Sequence, residues 1–162
     1  MLKIISHLDE YTPTDLKQLE IMVGLATKKG YLVPREQGWC RQAIQKGEAI
    51  GVKRNELLIG HAMLSTVTLQ NGQRHGIIYG TVWRDKYNGG ELVLIETLNI
   101  AKRKFRTIYV AIERLNPKST HICQRHGAQL IEHVDIIDPA ILKNILYDKN
   151  SSLLLAFQYD KI

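Results

Sequence analysis

The segment from residue 89 to residue 127 constrains the fold of this chain most, because three different elements follow one another in it. Gly89 and Gly90 precede an apolar repeat with helical spacing, and residues 108–112 are then apolar on both faces. Such a run suits a central strand that helices cover on both sides. Residues 116–127 predict a short helix that closes at a glycine. The helical repeat consists of Leu94, Leu98, Ala101 and Phe105.

The remainder of the chain predicts further helices and an antiparallel sheet around this unit. Thr12, Pro13 and Asp15 form a typical helix start, and a second helix is expected over residues 36–46. The pattern predicts an α+β fold with a mixed, mostly antiparallel sheet flanked by helices, as one domain over residues 1–162. The predicted strands are 2–7, 48–53, 57–69, 74–83, 107–112, 128–137 and 153–157, with a short helix over 139–146.

The composition limits the expected partners and location. The chain has 162 residues and 44% hydrophobic residues, which is ordinary for a soluble domain. No apolar run approaches the roughly 20 residues that cross a bilayer, and no export signal is evident, so a cytoplasmic protein without a membrane partner is expected. The formal net charge of +6 favours an anionic partner, either a phosphorylated cofactor or nucleic acid. Two cysteines and six scattered histidines predict no metal site.

The clearest local motif follows the buried strand and consists of Asn116, Ser119, Cys123, Gly127 and Ala128 at fixed spacings. This spacing, together with the order of elements over nearly the whole chain, resembles the GNAT superfamily of acyl-CoA-dependent N-acetyltransferases. Members of that family commonly carry Asn here, a small residue three positions later and Gly eleven positions later. The resemblance implies a GNAT-like fold and an enzyme that moves an acetyl group from acetyl-CoA to an amine by direct attack.

The resemblance also implies where coenzyme A would bind. Residues 84–90 correspond to the family's pyrophosphate loop, whose backbone amides and helix N-terminus hold the diphosphate. The chain departs from the family pattern of Arg or Gln, two residues, Gly, one residue, then Gly or Ala. If Gly90 is the last position, Asn88 replaces the first glycine; if Arg84 starts the motif, Tyr87 replaces it. The implied cofactor-binding residues are Val82, Trp83, Arg84, Lys86, Tyr87, Asn88, Gly89, Gly90, Asn116 and Ser119.

Proton transfer is where the chain differs most from the family. Many relatives carry a Tyr at the position of Cys123, whose thiol can either donate a proton or act as a small apolar filler. The strand over residues 74–83 contains no Glu or Asp, which makes His75 the candidate general base; Tyr79 and His61 are the other titratable residues nearby. Deprotonation through water would need no such base. Cys123 and His75 are therefore the two candidate catalytic residues.

Several functions stay open at the level of the sequence. The expected acceptor is a small-molecule or peptide amine, in a cleft that Tyr31, Trp39 and Trp83 could line. One alternative is an acyl-CoA-binding sensor or regulatory module, suggested by Cys123 and the irregular loop. Another is a tRNA-directed acetyltransferase that uses basic residues such as 102–106, although a basic cofactor site explains the charge without nucleic acid. A homodimer formed through the last strand is also open.

Overall fold

Among the residues that the structure describes, seven strands form a single sheet. The structure is a computed structural model, and it describes residues 2–159 apart from the side chain of Asp85. The strands are β1 (Leu2–Ile5), β2 (Ala49–Arg54), β3 (Leu57–Thr68), β4 (Arg74–Trp83), β5 (Thr107–Glu113), β6 (Gln129–Leu130) and β7 (Ser152–Gln158). The helices are α1 (Pro13–Lys28), α2 (Trp39–Gln45), α3 (Gly89–Ala101), α4 (Pro117–Arg125) and α5 (Pro139–Asn144).

The sheet is mixed, with strand order β1-β2-β3-β4-β5-β7-β6. All neighbouring strands pair antiparallel except β4 and β5, which are parallel. The fold class predicted from the sequence is therefore confirmed. The last strand, β7, lies between β5 and the short β6. No helix among residues 2–159 is long and apolar enough to span a membrane.

The start of α1 is built as the sequence predicts. The Thr12 hydroxyl accepts a hydrogen bond from the Asp15 amide at 3.0 Å, and the Asp15 carboxylate accepts one from the Thr12 amide at 2.9 Å. This reciprocal pair satisfies two amides that the first helical turn leaves without partners. The same carboxylate accepts a hydrogen bond from the Lys53 ammonium of β2 at 2.9 Å. The cap therefore also ties α1 to the sheet.

Helices cover both faces of the sheet, as the apolar β5 predicts. On one face, Ile108 of β5 packs in a buried cluster with Leu98 of α3 and the adjacent Phe105. On the other face, Tyr109 packs in a second cluster with Ile141 of α5. A third cluster joins α1 and α2 to the first strands of the sheet; it includes Leu19, Ile44, Leu58 and Met63. Helices packed on each side of the sheet thus fix the positions of the central strands β4 and β5.

Two predicted elements differ from the structure. The strand predicted over residues 128–137 is wrong for most of its length, since only Gln129–Leu130 is strand and a 3-10 helix follows at Val134–Ile136. Within residues 2–159, β6 pairs with β7 alone; the Ile131 amide still bonds to the Leu154 carbonyl of β7, and the chain after it bonds locally in that turn. The helix predicted from residue 36 begins only at Trp39, because Gly38 precedes it in a left-handed conformation with φ of 81°.

Candidate active site

The parallel strands β4 and β5 separate part-way along their length, and the gap between them forms a cleft. Residues 76–78 of β4 pair with residues 108–110 of β5, and no further pairs join the two strands among the residues that the structure describes. Beyond Ile78, the backbone groups on this edge of β4 therefore have no strand partner. Exposed strand edges of this kind can hydrogen-bond an extended ligand.

A β-bulge in β4 lies at the point of separation. Ala62 of β3 lies opposite two residues of β4, Gly80 and Thr81. Gly80 has φ of 61°, which favours glycine, and a Cβ atom there would lie 2.5 Å from the Trp39 ring of α2. Because a bulge bends its strand, the extra residue turns β4 away from β5.

The cleft is lined by mostly apolar and aromatic residues from five parts of the chain. They come from the segment after α1, from β4 at the bulge, from the first turns of α3, from the end of β5, and from α4. The lining residues are Tyr31, Leu32, Ile78, Tyr79, Gly80, Thr81, Trp83, Gly90, Leu94, Val110, Ala111, Ile112, Asn116, Ser119, Ile122 and Cys123. Of the residues predicted from the sequence, the cleft thus brings together Trp83, Gly90, Asn116, Ser119 and Cys123.

The loop before α3 packs closely on the sheet, and this packing requires its glycines. A Cβ atom on Gly89 would overlap the Ile59 carbonyl group of β3, and one on Gly90 would lie 2.8 Å from the Trp83 ring. The helix starts at Gly89 after Asn88, whose φ is 59°. Amides in the first helical turn have no intrahelical partner, and together with the helix dipole they favour an anion at this end.

An ion-pair network joins the start of α3 to the end of α4. The Glu91 carboxylate lies 2.8 Å from His126 Nε2 and 3.2 Å from the Arg125 guanidinium. The hydrogen bond with His126 is the main cause that lowers the pKa of Glu91. The Glu91 carboxylate is therefore paired with Arg125 of α4 and in contact with the His126 ring that follows it.

A second groove lies beside the cleft, between α1 and the β4–α3 loop. Val82, Arg84, Lys86 and Tyr87 line it, and Trp83, Asn116, Tyr31 and Thr81 line both the groove and the cleft. The Arg84 side chain donates through Nε to the Leu58 carbonyl at 2.9 Å. The predicted cofactor-binding residues are thus divided between two adjoining depressions, while Asn88 and Gly89 line neither.

The start of α4 carries the predicted Asn and Ser side by side. The Asn116 side chain accepts a hydrogen bond from the Ser119 amide at 3.4 Å and donates through Nδ2 to the Ser119 hydroxyl at 2.9 Å. One turn later, Cys123 is buried, with 6% of its surface exposed. Burial raises the pKa of the Cys123 thiol to about 12, so the thiol is protonated at neutral pH.

His75 lies away from the cleft. It is near the start of β4, where that strand pairs with both neighbours, and its ring packs edge-on against Tyr109 with centroids 5.8 Å apart. Burial lowers the pKa of His75, although Asp138 opposes this shift. The two residues predicted as catalytic, His75 and Cys123, are therefore not brought together.

A carboxylate that the sequence did not reveal stands behind the cleft. Tyr79 lines the cleft, and its hydroxyl donates to the Glu48 carboxylate at 2.7 Å. The other Glu48 oxygen accepts from the Ser65 hydroxyl at 3.0 Å. Burial, and then the bond to Glu48, raise the pKa of the Tyr79 phenol. Glu48 and Tyr79 lie 31 positions apart in sequence, and only the strand pairing brings them together.

A cation also borders the cleft on the side of α2. The Arg35 guanidinium lies 4.7 Å from the centroid of the Tyr79 ring and 5.3 Å from that of the Trp39 ring. Burial lowers the pKa of Arg35, but the group stays cationic because guanidinium groups titrate far above neutral pH. Within residues 2–159, no group of three His, Cys, Asp or Glu side chains could hold a metal ion.

The sequence matches no protein-family model and no curated protein sequence. Solved structures with a similar fold include N-acetylglutamate synthase from Neisseria gonorrhoeae, crystallised with coenzyme A and N-acetyl-glutamate. It is 15% identical with a TM-score of 0.75, over 98% of this chain and 35% of that chain. This chain therefore spans about a third of that enzyme.

Two further structures match over most of both chains. Naa50 of Arabidopsis thaliana, in complex with the bisubstrate analogue CoA-Ac-MVNAL, is 16% identical with a TM-score of 0.65, over 98% of this chain and 99% of that chain. A GNAT-family acetyltransferase from Streptococcus agalactiae is 12% identical with a TM-score of 0.67, over 99% and 96% of the two chains. This protein has the GNAT fold, as its sequence predicts.

Proposed function

We propose that this protein is an acetyl-CoA-dependent N-acyltransferase that moves an acetyl group to an amine by direct attack in a ternary complex. The observation that carries the proposal is the gap between β4 and β5, which opens next to the glycine-rich start of α3. Two of the structural neighbours were crystallised with coenzyme A or a bisubstrate analogue of it. The thioester would supply the activated acetyl group, and the protein would supply binding and proton transfer.

The residues of the cleft fit a long, thin, phosphorylated ligand. The unpaired edge of β4 after Ile78 offers backbone donors and acceptors to an amide-bearing arm such as pantetheine. The first amides of α3, from Gly89 onward, suit the diphosphate. Asn116 keeps one Nδ2 hydrogen free after its bond to Ser119, and the Ser119 hydroxyl can still donate. A backbone amide on this edge of β4 would also stabilise charge that develops on the thioester oxygen.

Tyr79 and Glu48 are better placed for proton transfer than the residues predicted from the sequence. Tyr79 lines the cleft, and its hydroxyl already donates to Glu48 at 2.7 Å. A proton from the attacking amine would pass to the Tyr79 oxygen as the phenolic proton passes to the Glu48 carboxylate. This relay needs no change in the charge of Tyr79, whose pKa is raised by burial.

Cys123 serves as packing in this proposal rather than as a proton donor. Its pKa of about 12 lies above the reference thiol value of about 8.5, so proton transfer from Cys123 to a departing thiolate would be uphill by roughly 5 kcal/mol. The leaving thiolate would take its proton from solvent. Cys123→Ala is therefore expected to retain most of the turnover rate.

The test measures binding and turnover separately. Isothermal titration with acetyl-CoA reports binding, and release of free thiol across a panel of amines reports turnover. Tyr79→Phe and Glu48→Gln should each lower kcat about 10²-fold or more while acetyl-CoA affinity stays the same. Tyr109→Phe is the matched control, because Tyr109 packs beside His75 where β4 and β5 are paired and does not line the cleft. Absence of acetyl-CoA binding would refute the proposed function.

A second function, acyl-CoA binding without turnover, is favoured by one observation. The helix position at which relatives carry a Tyr is here a buried, protonated thiol. Under this alternative, the titration shows tight acetyl-CoA binding, but no amine accelerates thiol release, and Tyr79→Phe changes nothing. The same two measurements therefore distinguish the sensor from the enzyme.

A further inference from the structure

The acceptor end of the cleft has a charge arrangement that indicates its ligand. A branch of the cleft extends from the bulge in β4 toward α2 and the segment after α5, and Tyr79, Gly80 and Ala111 line both this branch and the main cleft. A molecule in the branch would therefore reach the gap between β4 and β5. Its walls also include Arg35 and Glu113.

Arg35 is held at this wall without an anionic partner. Its guanidinium lies against the Trp39 and Tyr79 rings, and no carboxylate lies within ion-pair distance of it among residues 2–159. By contrast, Lys53 and Arg125 each have a carboxylate partner. Partial burial of a guanidinium without a counter-charge is unfavourable. A planar cation fixed between two rings suits bidentate binding of a carboxylate.

The opposite charge lies on the other wall. Glu113 ends β5, and one of its carboxylate oxygens accepts a hydrogen bond from the Ser152 hydroxyl at 3.3 Å. Apart from Arg35 and Glu113, the residues that line the branch carry no charge at neutral pH. The branch thus offers one fixed cation and one fixed anion in otherwise apolar and aromatic surroundings.

We propose that the acceptor is a small zwitterion of the amino-acid type, whose carboxylate binds Arg35 and whose ammonium group is attracted to Glu113. The inference rests on the proposed function, because it names the substrate class of the same site. The ammonium group then lies toward the end of β5; it loses one proton to solvent, and the neutral amine reaches the gap past Ala111, which lines both the branch and the cleft. Tyr79 stacks under Arg35 and also faces this gap, so one residue contacts both the recognition and the reaction parts of the site.

The experiment compares each of the twenty common L-amino acids with its carboxamide, using acetyl-CoA and thiol release. Wild-type protein is expected to prefer at least one acid over its amide by about 10-fold or more in kcat/KM. Arg35→Gln should bring this acid-to-amide ratio close to one, while Arg35→Lys should keep part of the preference. Arg41→Gln is the control, since Arg41 is an exposed arginine of neighbouring α2 and should leave the ratio unchanged.

Each outcome decides between the hypotheses. Amides that react as well as acids in the wild type, or equal losses for acid and amide in both Arg35 variants, overturn the acceptor assignment. Acetyl-CoA binding without thiol release from any acid overturns it as well, but leaves the cofactor standing. Failure to bind acetyl-CoA instead removes the proposed function itself. Circular dichroism of each variant confirms that its fold is retained.

Discussion

The buried ion pair between Lys53 and Asp15 provides the sharpest test of how α1 is held on the sheet. The two side chains are 8% and 1% exposed, and the ammonium lies 2.9 Å from the carboxylate. We expect Lys53→Met to destabilise the protein strongly, because it leaves the Asp15 carboxylate buried with only the Thr12 groups as partners. The other oxygen, Asp15 Oδ1, already has no hydrogen-bond partner.

The magnitude follows from the geometry of the pair. At 2.9 Å and an effective dielectric constant of about 20, the attraction between the two charges is about 6 kcal/mol. In the intact pair, the desolvation cost of burying both ions offsets much of this attraction. Removal of one partner leaves the desolvation cost of the remaining ion without a compensating attraction. The expected loss for Lys53→Met is therefore about 3–5 kcal/mol, a large part of the 5–15 kcal/mol typical of a whole domain.

The pH dependence of the unfolding free energy tests the sign of the contribution that Asp15 makes to stability. Burial raises the pKa of Asp15, but the hydrogen bonds from Thr12 and Lys53 outweigh it and lower the pKa overall. In wild-type protein, the stabilisation from Asp15 is thus present above its unfolded pKa of about 3.9 and is lost as the pH falls through the lower folded value. Without Lys53, two of the causes that lower the folded pKa of Asp15 are gone, so this pKa is higher in the variant than in wild type. The difference between wild type and variant should therefore shrink as the pH falls from 7 to about 3.

Urea denaturation followed by circular dichroism at several pH values measures this difference. Lys17→Met, an exposed lysine of α1, should change the unfolding free energy by less than about 0.5 kcal/mol. The double variant Lys53→Met with Asp15→Asn should recover part of the loss, since no uncompensated charge stays buried. A loss for Lys53→Met that equals that of Lys17→Met, or that grows toward acid pH, would refute the reasoning.

Two further predictions concern the cleft. Gly90→Ala should destabilise the protein by about 1–3 kcal/mol, because its Cβ would meet the Trp83 ring at 2.8 Å. Gly24→Ala is the control: it lies in a helix with open space around it and should stabilise the protein by up to about 1 kcal/mol. Thermal denaturation compares the two variants, and equal shifts in melting temperature would contradict the packing argument. Burial raises the pKa of Cys123 to about 12, so at pH 8 this thiol should react with a disulfide reagent on the order of 10³-fold more slowly in native than in unfolded protein. Cys40 is only partly buried and should be labelled first, and rapid native labelling of Cys123 would contradict its burial.

Most of the fold could be predicted from the sequence because its signals are local. The α1 cap lies within four consecutive residues, Thr12 to Asp15, and the two apolar faces of β5 are visible in residues 107–112. The predicted strand over residues 128–137 was wrong because its hydrophobic residues pack around a turn after a two-residue strand. Apolar pattern alone does not distinguish these arrangements.

The candidate site was predictable only in part, for a physical reason. Asn116 and Ser119 are three positions apart and belong to one helix start, so their spacing in sequence reflects their contact. Glu48 meets Tyr79 only through strand register, and no local pattern marks that meeting. His75 was identified from residue type and strand, but the sequence does not show at which end β4 and β5 stay paired.

The bulge at Gly80 and Thr81 has a consequence for how the shape of the site persists in evolution. The opening depends on one extra residue in β4 relative to β3, together with a glycine that leaves room for the Trp39 ring. One inserted residue and one glycine in a left-handed conformation place fewer demands on the sequence than a set of interacting side chains does. Two solved structures of 12–16% identity have a similar overall architecture, which side-chain identity at the opening therefore does not determine. Deleting Thr81 should restore regular register and let β4 and β5 pair further along their length, which would close the cleft with the loss of only one lining side chain, that of Thr81.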